Sequence, residues 1–301
     1  MHQTETVILQ TGEAEVEILA EGGSLARYRL VTPAGGFDLF RPYHRNEAED
    51  FDPLKAASFP MVPYFSRIRD GKFRFGGKSH QLRLNFGDHP HSVHGVAWRS
   101  LWRIEESSQQ SAVLVLDYPG DDWPYAFEAR LTYALSVADL HQTISLTNKS
   151  AASMPAGLGM HPFYPRHSGA TLRANVGSVW LYGEDFLPTD CIPCPSNWDL
   201  GTAKDVVALD CDTVFEGWDR RAEIVWPNDG ISLTIESGDG LDRLVVYASP
   251  TRDIFCVEPV SQITDAFNRV ADGMPAEQAG MRVLAPGETW TVSAKFRPKL
   301  L

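Results

Sequence analysis

Alternation with a period of two runs through nearly the whole of this chain. The segments "AEVEILA", "KFRFGGKSHQLRL", "SAVLVLDY", "FEARLTYALSVADLHQTISLTN", "AEIVWPNDGISLTIES", "RLVVYAS" and "TWTVSAKF" alternate or cluster β-formers, with turn residues between them. Successive side chains of a strand point to opposite faces, so each such segment has one face to bury and one to wet. Gly76-Gly77 and Asn228-Asp229-Gly230 sit between alternating segments as hairpin turns do. Helical signals are confined to Asn46 to Ser58 and Thr264 to Val270. No repeat, heptad, charge block or low-complexity tract breaks the pattern. The expectation is an all-β fold with a few short helices, residues 1–301 forming one large antiparallel β-sandwich domain. Chemistry on such a scaffold sits on a concave sheet face or in rim loops, where polar groups far apart in sequence converge.

Composition narrows the partners. Hydrophobic residues make up 43% of the chain, enough for a sizeable core. The formal charge of -12 opposes non-specific attraction to nucleic acid or to an anionic membrane, so neither is expected as a partner. The N-terminal "MHQTETVILQTGEAEVEILAEGG" has no basic segment followed by an apolar run, and no later stretch is long enough to span a bilayer. A cytoplasmic protein is expected. Of the four cysteines, Cys191 and Cys194 form "CIPC", but no second close pair completes a four-ligand cage.

Four stretches carry candidate chemistry. In "GMHPFYPRH", Pro162 and Pro165 fix φ and bias their predecessors toward extended backbone, so His161 is held as a proton-transfer group needs to be. "GDHPHSVHGVAW" holds His89, His91 and His94. A His89/His91 pair two apart on a strand could bind iron, manganese or zinc as in cupin-type barrels, but the cupin glutamate position is Gly95 and Pro90 interrupts strand pairing. His94 is followed by Gly95, which permits close backbone approach, and Trp98 offers a flat apolar face of the kind sugar rings pack against. In "IFCVEPVSQITDAFN", Glu258 ends a strongly apolar strand, where burial would raise its pKa toward the range of a general base. In "PYFSRIRDGKF", Arg67 and Arg69 share one face of an extended segment and suit polyol or carboxylate recognition. No P-loop, Rossmann fingerprint, Gly-x-Ser-x-Gly elbow or kinase set occurs. What remains is acid and base chemistry with no cofactor and no metal.

In this order, "PYFSRIRDGKFRFGGKSHQL", "HGVAW", "GMHPFYPR", "CDTVFEGWD", "FCVEPVSQITDAFN" and "VLAPGETW" resemble the aldose 1-epimerase, or galactose mutarotase, family over nearly the whole chain. The resemblance implies the galactose mutarotase-like supersandwich with an open cleft and a small-molecule sugar as substrate. It implies that His161 protonates the ring oxygen, that Glu258 takes the proton of the anomeric hydroxyl, and that His94 is a second active-site histidine. Arg67 matches the arginine of the family's Asn-Arg-Ile motif and Asp212 a sugar-binding acid; Trp98 and Tyr164 are the aromatics expected to meet the sugar. Ser66 stands where the family has Asn, and Phe163-Tyr164 where many members have Tyr-Phe. His161 is expected on the far side of the sugar ring from Glu258. A neutral aldose is favoured, because the overall charge opposes a sugar phosphate. The alternatives are a hexose-6-phosphate mutarotase, with Arg69 or Arg166 as phosphate ligand, and a non-catalytic carbohydrate-binding or sugar-sensing protein on the same fold.

Overall fold

In the computed structural model, which describes residues 5–33, 35–44 and 50–301, the alternating segments pair into two large antiparallel sheets of eleven and nine strands. The long hairpin Phe127–Ser136 with Asp139–Asn148 anchors the nine-stranded sheet, and Thr289–Leu300 joins that hairpin to Ile231–Ser237. Residues Phe127 to Leu135 alternate strictly between buried and half-buried, which is the one-face burial that period two predicts. The sheets face each other across aromatic side chains: Phe40 packs edge-on against Phe296 at 5.2 Å, and the Trp226 indole donates to the Pro165 carbonyl at 2.9 Å. Tyr28, fully buried, donates its hydroxyl to Ala138 O at 2.5 Å and so ties the two layers with a satisfied polar group.

At the centre of the eleven-stranded sheet lie five neighbours in the order Ser58–Met61, Gly159–Pro165, Ile254–Val260, Arg243–Ala248 and Cys211–Glu216. All seven residues of Ile254–Val260 are buried, because this strand is covered on both faces. That double cover explains why "IFCVEPV" reads as an apolar run rather than as alternation.

Both hairpins placed at Gly76-Gly77 and at Asn228-Asp229-Gly230 form, between Lys72–Phe75 and Lys78–Gln81 and between Arg221–Trp226 and Ile231–Ser237. The helix expected near Thr264 to Val270 is Ala266–Ala271. The one expected over Asn46 to Ser58 lies partly outside the described residues. Its described part holds only a single 3-10 turn, Pro53–Lys55, capped by the Asp52 side chain and followed by a strand. Pro53 suits the first position of such a turn but the segment is too short to propagate a helix. No helix among the described residues is long and apolar enough to cross a membrane.

Candidate active site

Strand register builds the site. Gly159 lies opposite Val260 and Phe163 opposite Cys256, a register that sets His161 across from Glu258. Directly opposed residues on one face have Cβ atoms about 5 Å apart, so their side chains meet without any loop to bring them together. Pro162 has no N–H to give the ladder, and the pairing toward the Glu258 strand is broken between Gly159 and Phe163. Gly159 is there for space: a Cβ on it would stand 2.8 Å from the Met61 methyl and 2.9 Å from Val260 Cγ1. His161 Nε2 stands 3.5 Å from Glu258 Oε1, with both side chains nearly inaccessible.

Aromatic rings hold the His161 ring. Phe163 stacks on it at 4.5 Å, and Phe59 packs against it at 4.6 Å, tilted by 36°. Trp98 backs Phe59 at 5.2 Å, and the Arg41 guanidinium lies 4.1 Å over Phe163. The imidazole can therefore neither tilt nor leave without disturbing packed aromatics, which is the physical content of the stiffness read from the two prolines.

Electrostatics at the pair runs in two directions with one cause. Burial pushes His161 down to about 3; its own backbone opposes this and the nearby Arg41 cation adds to it. Burial raises Glu258 well above the carboxylate range; the Asp212 charge adds to this and Arg67 opposes it. Burial thus favours the neutral imidazole and the protonated carboxyl group. Moving that proton onto the ring gives imidazolium beside carboxylate with the same net charge, so the pair exchanges one proton without charging the interior.

His94 completes the cluster at right angles to His161, with ring centres 5.2 Å apart. Its backbone is left-handed, with φ of 60°, and Gly95 follows at 76°. A Cβ on Gly95 would lie 2.1 Å from the Val62 carbonyl oxygen, so the close approach expected of this glycine is real. Ser66 N–H donates to His94 Nδ1 at 3.3 Å, leaving the proton on Nε2. Burial holds the His94 pKa well below the usual 6.5, with His161 and Arg67 adding to the effect, so His94 is a neutral hydrogen-bond donor. Above it, Arg67 pairs with Asp212 at 3.1 Å. Ser66 does not reach out as an Asn would: it accepts from Thr264 at 2.9 Å, and Thr264 in turn meets the Tyr182 hydroxyl at 2.9 Å.

His161, Glu258, His94, Arg67 and Asp212 thus line one cavity of about 420 Å³. Two expected sugar contacts do not. Trp98 is fully buried and donates its indole N–H to Gly95 O at 3.1 Å, so it supports Phe59 and has no face free for a sugar. Tyr164, also fully buried, packs on Phe40, Trp226 and Phe255 on the opposite side of its strand. It stands three residues from His161, and an odd step along a strand changes the face. The aromatic that shares the His161 face is Phe163. Nor is His161 across a sugar ring from Glu258, since 3.5 Å admits no ring between their nearest atoms. Arg69 parts from Arg67 as well, because Asp70 turns the backbone with φ of 51° and leaves Arg69 exposed beside Asp265.

Arg41, Phe163, Tyr182, Arg252, Cys256 and Thr264 also line the cavity. Two of them carry a parity signal readable in advance, as Phe163 and Cys256 stand two residues from His161 and Glu258. The others come from elsewhere in the chain and carry none. For a metal, His91 is committed: Nδ1 accepts from Asp70 N–H at 3.1 Å and Nε2 lies 2.8 Å from Asp185 O. The group with suitable spacing is His161, Cys256 and Glu258, whose ligand atoms lie within 4.8 Å of one another. Burial pushes the Cys256 thiol well above its usual pKa, which keeps it protonated and a poor ligand.

Comparison with known proteins bears on the family and the fold. The chain matches the aldose 1-epimerase family over residues 5–297. It is 26% identical to the uncharacterized protein YphB of Escherichia coli K12 over 97% of this chain and 98% of that protein. A solved putative aldose 1-epimerase from the same organism superposes with a TM-score of 0.88 at 25% identity, covering 99% and 100% of the two chains. A galactose mutarotase-like protein from Clostridium acetobutylicum gives 0.85 at 20% identity over 99% and 98%, a likeness of fold. The chain belongs to the aldose 1-epimerase family.

Proposed function

We infer that the protein is a cytoplasmic mutarotase, interconverting the α and β anomers of a free aldose by ring opening and reclosure. The observation that carries this reading is the His161 and Glu258 pair, an imidazole and a carboxyl group 3.5 Å apart, nearly inaccessible and lining one cavity. A sugar bears its ring oxygen and its anomeric hydroxyl on the same carbon. Two groups this close reach both oxygens from one side, one giving a proton while the other takes one.

In the forward step Glu258, as carboxylate, removes the anomeric hydroxyl proton and His161, as imidazolium, protonates the ring oxygen. The bond between C1 and the ring oxygen breaks and an open-chain aldehyde forms. Half a turn about the C1–C2 bond and the reverse transfers give the other anomer. The proton arrangement that starts the step is the charge-separated one. Arg67, which lowers the Glu258 pKa, and the Phe163 ring stacked on His161 favour it. His94 Nε2–H donates near the ring oxygen, while the Arg67–Asp212 pair offers donors and acceptors to sugar hydroxyls. No cofactor enters.

A binding protein or sugar sensor would gain affinity from the arginine, the aspartate and the aromatics, but nothing from burying an acid and a base together at a cost in stability. The test is anomer exchange by NMR or polarimetry on freshly dissolved aldoses. His161→Ala and Glu258→Gln each slow exchange by about 100-fold or more, the scale of a general acid or base. Exchange at wild-type rates in either folded variant removes that residue from the mechanism.

A further inference from the structure

The cavity is longer than the acid-base pair requires. Glu258, Cys256 and Ile254 share one face of their strand and all line it. At about 3.3 Å per residue the lining runs about 13 Å from Glu258 to Ile254. At that remote end two guanidinium groups, Arg41 and Arg252, face the same space.

Neither forms an ion pair with a carboxylate among the described residues, although the chain has 39 acidic residues against 27 basic ones. Arg41 is half-buried and fixed: Nη2 donates to Leu54 O and to Ala56 O, each at 2.6 Å, and Nε is buried with no partner. Burial lowers its pKa, against the raising effect of Cys256, Asp253 and Asp52. Arg252 is exposed on the turn before Ile254, and Arg166 braces that turn by donating to Ser249 O at 2.5 Å and Pro250 O at 2.9 Å. The Arg166 expected to meet a phosphate directly instead positions the loop that carries Arg252. Among the described residues Asp253 is the carboxylate lining this end, and Asp52 also acts on Arg41, yet neither comes within ion-pairing distance of either guanidinium.

We propose that the Arg41–Arg252 end of the cavity binds an anionic group carried by the aldose at the end remote from its anomeric carbon. The inference rests on the mutarotase reading and narrows its substrate to an acidic or phosphorylated sugar, against the neutral aldose favoured from overall charge. A local pair of guanidinium groups at hydrogen-bonding range outweighs a diffuse negative surface, because Coulomb attraction falls with distance and salt screens charges beyond a Debye length most. Guanidinium geometry suits the planar fork of a carboxylate and the oxygens of a phosphate alike.

Exchange rates for glucose, glucose 6-phosphate and glucuronate, measured at low and high salt with wild type and Arg252→Ala, decide it. At low salt one of the two anionic sugars is exchanged about tenfold or more efficiently than glucose, and salt shrinks the advantage. Which one leads distinguishes a phosphate from a carboxylate. Arg252→Ala lowers kcat/KM for that sugar about tenfold more than for glucose. Equal or better exchange of glucose, or an equal loss for all sugars in the variant, overturns the proposal while leaving the mutarotase reading intact. Exchange of none of the three sinks both.

Discussion

The two faces of the strand Gly159–Pro165 differ more than any two neighbouring regions of the molecule. On the inner side Tyr164 packs among core aromatics, with its hydroxyl the one polar atom it leaves without a partner, while nearby Tyr28 satisfies its own through Ala138 O. On the outer side His161 Nδ1 and Glu258 Oε2 are both buried without hydrogen-bond partners. Buried polar groups left unsatisfied cost stability, and here they lie side by side at the floor of a cavity. The inner face leaves one hydroxyl unpaired among packed rings, whereas the outer face sets an acid beside a base at a cavity, with a single residue step between the faces.

Neighbouring substitutions break or sharpen that contrast. Tyr164→Ala removes a fully buried ring from the inner face and lowers unfolding free energy by about 3–5 kcal/mol, read by denaturant titration. Anomer exchange per folded molecule changes by less than about twofold, as the residue never meets the sugar; a loss near 100-fold would put Tyr164 back in the site. Phe163→Ala, one step away, does the opposite. It takes one wall from the His161 ring and slows exchange about tenfold at a smaller cost in stability.

Stability against pH sharpens the same comparison. Glu258 has a raised folded pKa, so its contribution is full below the usual 4.5 and is lost as pH rises toward the folded value. Glu258→Gln removes that loss. The variant unfolds at a higher temperature than wild type at pH 8, and the gain shrinks toward pH 4. His161 has the opposite sign: its pKa falls from 6.5 to about 3, so its contribution is full above the first value and is lost as pH falls toward the second. His161→Ala flattens the stability curve across that window. Parallel curves for wild type and both variants would mean that neither group is buried as described. The smallest effect is none at all: exhaustive chelation leaves exchange unchanged, since the mechanism needs no Lewis acid, whereas loss restored by one metal would point to His161, Cys256 and Glu258 as its ligands.

Much of this was legible in the sequence. The strands followed from alternation, and both glycine hairpins formed where turn residues marked them, because those signals are local. The converging residues His161, Glu258, His94, Arg67 and Asp212 were found through motif order. Spacing alone would not have joined them, since the register of Gly159–Pro165 with Ile254–Val260 brings together residues nearly a hundred positions apart. Trp98 and Tyr164 went astray for a stated reason. An aromatic beside a catalytic residue in sequence is as apt to face the core as the ligand, and only the period-two parity of the strand decides. Parity applied to "HPFY" would have chosen Phe163. Arg41 and Arg252 carry no local signal, and only the fold brings them to the cavity.

The central claim is that the outer face of this strand and its neighbour carries a proton-sharing acid and base that open a sugar ring. It is tested most directly by NMR saturation transfer between the anomers of neutral and anionic aldoses, with wild type beside Glu258→Gln, both confirmed folded by thermal unfolding. The account predicts that wild type accelerates exchange of at least one aldose and that Glu258→Gln, though more stable at pH 8, exchanges it about 100-fold more slowly. Wild-type protein that accelerates no aldose, or a folded Glu258→Gln variant that exchanges as fast as wild type, would contradict it.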